Sequence, residues 1–183
     1  MTLDLTGIDL TTEVVRTERL VLRPFRPEDE DAVLRGCQAE DVRHWLSVMP
    51  SPYTREDARA FVTEIAPGQR AAGGGMPVAI EADGALVGAS SLHFWPGRLG
   101  PEIGYWIAAE ARGNGYAAEA AAALAEWAFG RGAPRAHLWV DVANAASQVV
   151  ARRASFTQEG IVRAALDRRD GSRADAVLFG RVA

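Results

Sequence analysis

Between residues 102 and 131 the chain changes character twice. Glu102-Ile103-Gly104-Tyr105-Trp106-Ile107 reads as a strand, Arg112-Gly113-Asn114-Gly115-Tyr116-Ala117 as a tight glycine turn, and the alanine-rich run over 117–131 as a helix. This order restricts the fold more than any other stretch, because the helix must return over the sheet that holds the strand. It also makes an anion cradle. The N–H groups of a first helical turn have no partner inside the helix, and the helix dipole favours negative charge where they point. Small residues let that backbone approach a phosphate closely. The turn is therefore expected to grip a phosphorylated ligand.

The remaining pattern alternates strands and helices. Arg19-Leu20-Val21-Leu22-Arg23-Pro24-Phe25 reads as a first strand, and Pro27-Glu28-Asp29-Glu30 opens a helix to about Cys37. Residues 41–53 read as irregular. Thr54 caps a second helix, with Asp57 completing an approximate capping box, and the helix is expected to stop at Pro67-Gly68. Strands over 76–81 and 85–94 flank Ala82-Asp83-Gly84, a hairpin signal, and Trp95-Pro96-Gly97-Arg98 turns into a strand over 101–107. A strand over 135–142 and a short helix over 144–154 follow. Two closing strands, 157–164 and 174–181, join at Asp170-Gly171. Residues 1–16 read as a loosely held lead-in, and 1–183 as a single domain without repeats. The sum is an α+β domain, layered α/β/α, with one mixed, mostly antiparallel sheet and helices on both faces.

Composition narrows the function. A net charge of −4 argues against a dedicated nucleic-acid binder, which carries a basic excess. Every basic residue is arginine, a bias of GC-rich bacterial coding sequences. One cysteine, Cys37, forbids an internal disulfide and fits a reducing cytoplasm. The first ten residues carry Asp4 and Asp9 and lack the basic and apolar pattern of a secretion signal. No apolar run is long enough to span a bilayer. No Cys/His spacing suggests a metal.

The turn fits two familiar phosphate motifs poorly. A P-loop needs a lysine after its second glycine, and the chain has none. A dinucleotide fingerprint needs a third glycine, which is absent here, and Glu119 follows instead. Instead, Arg112-Gly113-Asn114-Gly115-Tyr116-Ala117 resembles the R/Q-x-x-G-x-G/A signature of the GNAT superfamily of acyl-CoA N-acyltransferases. The strand at 102–107, the Asn144-Ala145-Ala146-Ser147 helix start, Phe156, Glu159-Gly160 and the first strand resemble, in order, segments of its RimJ/RimL-like branch.

That resemblance implies splayed central strands and roles for named residues. Arg112, Gly113, Asn114, Gly115, Tyr116 and Ala117 would hold the coenzyme A pyrophosphate. The pantetheine arm would pair with backbone at Ile107, Ala108 and Ala109, and an N–H of that strand would polarise the acyl carbonyl. Asn144 would bond the pantetheine amide, although asparagine there also caps a helix. Arg153 would reach a coenzyme phosphate. Ser147 would protonate the departing thiolate, and Glu102 would take the amine proton, or else orient the ammonium or pair with an arginine. A glutamate proposed as base in RimL-like sequences falls at Leu166, next to Asp167, so Asp167 is a substitute candidate. His93 and Trp95 end a strand beside the acceptor site, and Trp45 lies in a segment that walls the acceptor pocket.

The expected activity is transfer of an acetyl group from acetyl-CoA to a primary amine, by direct attack in a ternary complex without a metal. The acceptor is a protein N-terminal α-amine or a small-molecule amine, and relatives imply a homodimer. A longer donor such as succinyl-CoA, a non-catalytic acyl-CoA sensor and a nucleotide-binding module are the alternative readings.

Overall fold

The computed structural model describes residues 3–95, 97 and 99–183. Eight strands form one sheet: β1 (Val15–Arg16), β2 (Val21–Arg23), β3 (Gly75–Ala82), β4 (Ala85–His93), β5 (Glu102–Ile107), β6 (Arg135–Asp141), β7 (Thr157–Asp167) and β8 (Arg173–Val182). Their order is β1-β2-β3-β4-β5-β6-β8-β7. Every neighbouring pair is antiparallel except β5 and β6, which run parallel and meet at one pair, Glu102 and His137. The His137 N–H donates to Pro101 O at 2.9 Å, after which the two strands diverge. This is the expected mixed, mostly antiparallel sheet with splayed central strands.

Each face is covered by helices. On one face lies α5 (Tyr116–Phe129), whose buried Ala118, Ala120, Ala121, Leu124, Ala125 and Ala128 share a core with Ile103, Leu138, Val140 and Phe179. Alanine has the best helix propensity and keeps the helix close to the strands. α6 (Ala145–Arg153) packs beside α5 on β6. The opposite face carries α1 (Glu30–Gln38), α2 (Glu40–Trp45), α3 (Arg55–Ala60) and α4 (Ala66–Ala71). There Phe25, Val33, Tyr53, Ala58, Val62 and Ala66 pack on Ala79 and Ala89, with Trp106 against Gly36. A side chain at position 36 would collide with that indole, so glycine is required there.

Three local expectations need correction. Residues 41–53 are not wholly irregular, since 40–45 form α2. Its Glu40 and Asp41 lie in the first turn and its Arg43 and His44 in the last, both matched to the helix dipole. The helix begun at Thr54 does not stop at Pro67-Gly68. A wide π turn over Phe61–Ile65 lets the Ala66 N–H reach Phe61 O, and Pro67 falls at the start of α4, where its missing N–H does no harm. Nor is the lead-in loose over the described residues. Leu10 is buried, Val15–Arg16 pair with β2, and the buried Arg70 side chain donates to Leu10 O and Pro77 O at 2.6 and 2.8 Å. Pro96 and Arg98 of the expected turn lie outside the described residues.

Candidate active site

The divergence of β5 from β6 opens a cleft of about 820 Å³. It runs from the glycine turn, between the two strands, to Glu102, and is walled by α2, by the start of α6 and by the β7–β8 hairpin. Of the residues singled out in the sequence, Trp45, Glu102, Ile107, Arg112, Gly113, Gly115, Tyr116, Ala117, Asn144, Ser147, Arg153 and Asp167 line it. Ala108, Ala109, Asn114, His93 and Trp95 do not.

At one end, the backbone builds the turn. Gly113 and Gly115 have φ of +81° and +82°, which L side chains avoid. A Cβ at Gly113 would meet nothing within 4 Å, and at Gly115 only the Arg19 guanidinium at 3.7 Å, so the space before the turn is open. The first helical bond of α5 runs from the Glu119 N–H to Gly115 O at 3.1 Å. The N–H groups of Tyr116, Ala117 and Ala118 therefore have no partner within the helix. Glu119 accepts from Thr17 Oγ1 at 2.5 Å and from Arg19 Nε at 2.8 Å, and Arg19 Nη1 donates to Asn114 O at 3.1 Å. These bonds anchor the turn to the segment between β1 and β2. Nothing in the local pattern announces Thr17 and Arg19, which lie roughly a hundred residues from the turn in sequence.

Two turn residues behave differently from expectation. Arg112 donates to Ile107 O at 3.1 Å and pairs with Asp41 of α2, so its charge is already matched. The Asn114 side chain folds back to donate to Ala111 O at 3.1 Å. Its amide is therefore engaged within the turn. Arg153, on the exposed side of α6, lines the cleft without an ion pair among the described residues.

Along β5 the backbone alternates in direction. The Ala108 N–H donates to Val87 O at 2.9 Å, toward β4. Its main-chain edge is thus closed to a ligand, a correction to the expectation that Ala108 offers one. Alternation turns the edges of Tyr105 and Ile107 toward the gap. Asn144 caps α6, its Oδ1 accepting from the Ser147 N–H at 2.9 Å, and it also lines the cleft. The capping role and an exposed position therefore coexist. Ser147 Oγ lies 2.8 Å from the Tyr105 hydroxyl. Burial pushes the Tyr105 phenol up to about 12, so it stays protonated at neutral pH. Tyr105 was not singled out in the sequence. Alternation puts it on the face opposite Glu102, but only the packing of α6 brings it to Ser147.

At the other end stands Glu102. Burial raises its carboxyl above the usual carboxylate range, with a hydrogen bond from Trp95 acting the other way. It has histidines on both sides: His93 is its partner on β4 and His137 its partner on β6. It pairs with no arginine among the described residues. His93 stacks on Trp95, ring centroids 5.6 Å apart, and burial lowers its pKa. Trp95 lines a second cavity of about 360 Å³ that also touches Glu102. The mouth of the cleft is formed by His44, Trp45, Leu46, Ser47 and Val48 on one side and Leu166, Asp167 and Arg168 on the other. Ser47 Oγ donates to Asp167 O at 2.6 Å and ties the two walls together. The Asp167 carboxylate, at the mouth of the cleft, is 82% exposed and pairs with Arg173 at 3.1 Å.

A sheet that splays beside a glycine cradle defines a class of fold, and comparison with known sequences agrees. The acetyltransferase (GNAT) domain profile matches residues 19–157, and the chain belongs to that family. Among curated relatives, the uncharacterized N-acetyltransferase YnaD of Bacillus subtilis (strain 168) is 30% identical over 115 residues, which is 63% of this chain and 65% of that protein's length. Among solved structures, Mycobacterium smegmatis RimJ in complex with CoA-disulfide superposes with a TM-score of 0.81 at 24% identity, over 93% of this chain and 88% of that one. The Salmonella typhimurium acetyltransferase that modifies the N-terminal serine of ribosomal protein L7/L12 gives 0.80 at 24% identity, over 93% and 99%. At that identity the two structures speak to the fold.

Proposed function

We propose that the chain is an N-acetyltransferase that moves an acetyl group from acetyl-CoA to a primary amine by direct attack in a ternary complex. The observation that carries this reading is the single cleft joining a backbone anion cradle to a half-buried carboxylate through the gap between β5 and β6. The cradle suits a pyrophosphate: its glycines leave open space, its first-turn N–H groups have no partner within the helix, and Arg153 lines the same cleft. The main-chain edges of Tyr105 and Ile107 would hold the extended arm, and an N–H there would polarise the thioester carbonyl. Glu102 would take the amine proton. As the N–C bond forms and the C–S bond breaks, the Ser147–Tyr105 hydroxyl pair would donate to the thiolate, a modest task for a thiol of pKa about 8.5. Holding amine and thioester together would supply much of the acceleration.

The acceptor in this reading is a protein N-terminal amine or a small-molecule amine. An α-amine, with a pKa near 8 against about 10.4 for lysine, needs the weaker base. The Salmonella enzyme's N-terminal serine supports that class by likeness of fold alone. We read the setting as a bacterial cytoplasm, because the lone Cys37 is free and buried and the basic residues are all arginine. No described helix is long and apolar enough to cross a membrane, and no described group of His, Cys, Asp or Glu suits a metal. A homodimer is expected and sedimentation would check it.

The test mixes the protein, acetyl-CoA and a panel of amines that includes N-terminal peptides, and follows release of free thiol. Release that depends on the amine is expected. Tight binding of acetyl-CoA without release across the panel would overturn the enzyme reading in favour of an acyl-CoA sensor, which Leu166 in place of a family glutamate supports. Titration with succinyl-CoA and with ATP beside acetyl-CoA separates the remaining alternatives.

A further inference from the structure

His93, Glu102 and His137 stand side by side on β4, β5 and β6, in register and on one face of the sheet. His137 Nε2 lies 3.8 Å from Glu102 Oε2. That is too long for a direct hydrogen bond and short enough for one bridging water or a small rotation. Glu102 lines both cavities. It faces the large cleft on one side and, with His137, Trp95, Leu99, Gly100 and Trp139, the cavity of about 360 Å³ on the other. The His137 side chain is only 4% exposed, and its Nδ1 is buried without a hydrogen-bond partner among the described residues. A buried imidazole with one nitrogen unmatched costs stability, which an apolar residue of similar volume would avoid.

We propose that His137 is a positioning residue that works through Glu102: it receives the proton Glu102 draws from the acceptor amine and releases it through the smaller cavity. This inference rests on the acetyl-transfer reading. An amine that arrives as ammonium loses two protons on becoming an amide. One is matched by the proton gained by the thiolate, and the other must leave the site. A carboxylate that kept it would meet the next ammonium already protonated. Passing it to His137 Nε2 restores the carboxylate, and water in the second cavity carries it away.

The surroundings suit this transfer. Burial raises the proton affinity of Glu102 and lowers that of His137, bringing two groups with ordinary values of 4.5 and 6.5 toward each other. The charged and titratable groups around His137 are Glu102 on β5, His93 one strand beyond, and Arg135 on its own strand, itself paired with Glu159 of β7 at 2.7 Å. Gly180 stands opposite on β8 and brings no charge. Arg135 disfavours a lasting imidazolium and so helps release, while the backbone of Leu99, Gly100 and Pro101 favours the protonated form and so receipt of the proton.

The kinetic arm compares wild type with His137→Ala and His137→Gln. In the alanine variant kcat should fall about tenfold or more while KM for acetyl-CoA stays within about twofold. Added imidazole, which fits the enlarged cavity, should restore turnover. If the alanine variant does not fold, the glutamine variant, which keeps the bulk but cannot titrate, carries the same loss of kcat. Full activity in a folded variant, or a loss that imidazole leaves untouched in a variant that binds acetyl-CoA normally, would overturn the proposal. The second arm needs no turnover. The His137 imidazole is titrated by NMR in wild type and in Glu102→Gln, and its pKa should fall when the facing carboxylate is neutralised. An unchanged pKa overturns the coupling by itself. A shifted pKa in a protein that acetylates no amine would sink the acetyl-transfer reading while leaving the pair intact.

Discussion

The two ends of the cleft are built by different means. The cradle end is mostly backbone: two glycines with positive φ and the first turn of α5, contiguous in sequence. The acceptor end is made of side chains from α2, β5, β6 and the β7–β8 hairpin, brought together only by the sheet and its covering helices. A backbone site tolerates drift of its side chains and keeps one ligand. A side-chain site changes specificity with any of several residues. Binding of the donor and choice of the acceptor are therefore separable, and substitutions at the two ends should fail in different ways.

The sharpest test places a carboxylate in the cradle. Gly115→Glu should weaken coenzyme A binding on the order of 100-fold or more, because a positive φ costs about 1–3 kcal/mol in a side-chain-bearing residue and the new charge faces the phosphates. Calorimetry reads this directly, and unchanged affinity would remove the turn from the site.

At the other end, Glu102→Gln should lower kcat by about 100-fold and leave acetyl-CoA affinity unchanged. Since burial raises this carboxyl and the base must be ionised, activity should be lost as pH falls through a value above the ordinary glutamate range. That acidic limb should vanish from the kcat/KM profile of the variant. Persistence of the limb would assign it to another group.

Between the two ends, Ser147→Ala and Tyr105→Phe should each cost roughly tenfold or less in kcat, since a departing thiol of pKa about 8.5 needs little assistance. The two hydroxyls are hydrogen-bonded to each other, so the double variant should be no slower than the worse single one. Additive losses in single-turnover kinetics would show that they act separately.

The smallest effect is expected at Asp167. Exposed and paired with Arg173, its carboxylate offers little as a base. Asp167→Asn should retain turnover within about twofold, and a larger loss across the amine panel would return it to the list of proton acceptors.

The difference between the two ends also governs how far each was legible in the sequence. The cradle, the strand before it and the Asn144 cap are local signals, readable because glycine, asparagine and alternating side chains act over a few residues. The π turn at Phe61–Ile65 hides a helix that continues past Pro67, since a proline reads as a break unless the preceding turn widens. The lead-in reads as loose because an anchor, Arg70, lies far along the chain. Locally, His137 is a lone strand histidine. It acquires meaning only from Glu102 standing opposite, across a parallel pairing that no local pattern encodes.

By itself the sequence determined the order of elements, the glycine turn and the kind of ligand that turn can hold, because backbone conformation and helix ends are set by near neighbours. Only the tertiary structure decided which groups share the cleft. It opened the gap between β5 and β6, closed the Ala108 N–H against Val87, brought Tyr105 to Ser147, and set Glu102 between two histidines. Those are distances between residues remote in sequence, and they exist only once the sheet has brought its strands into register.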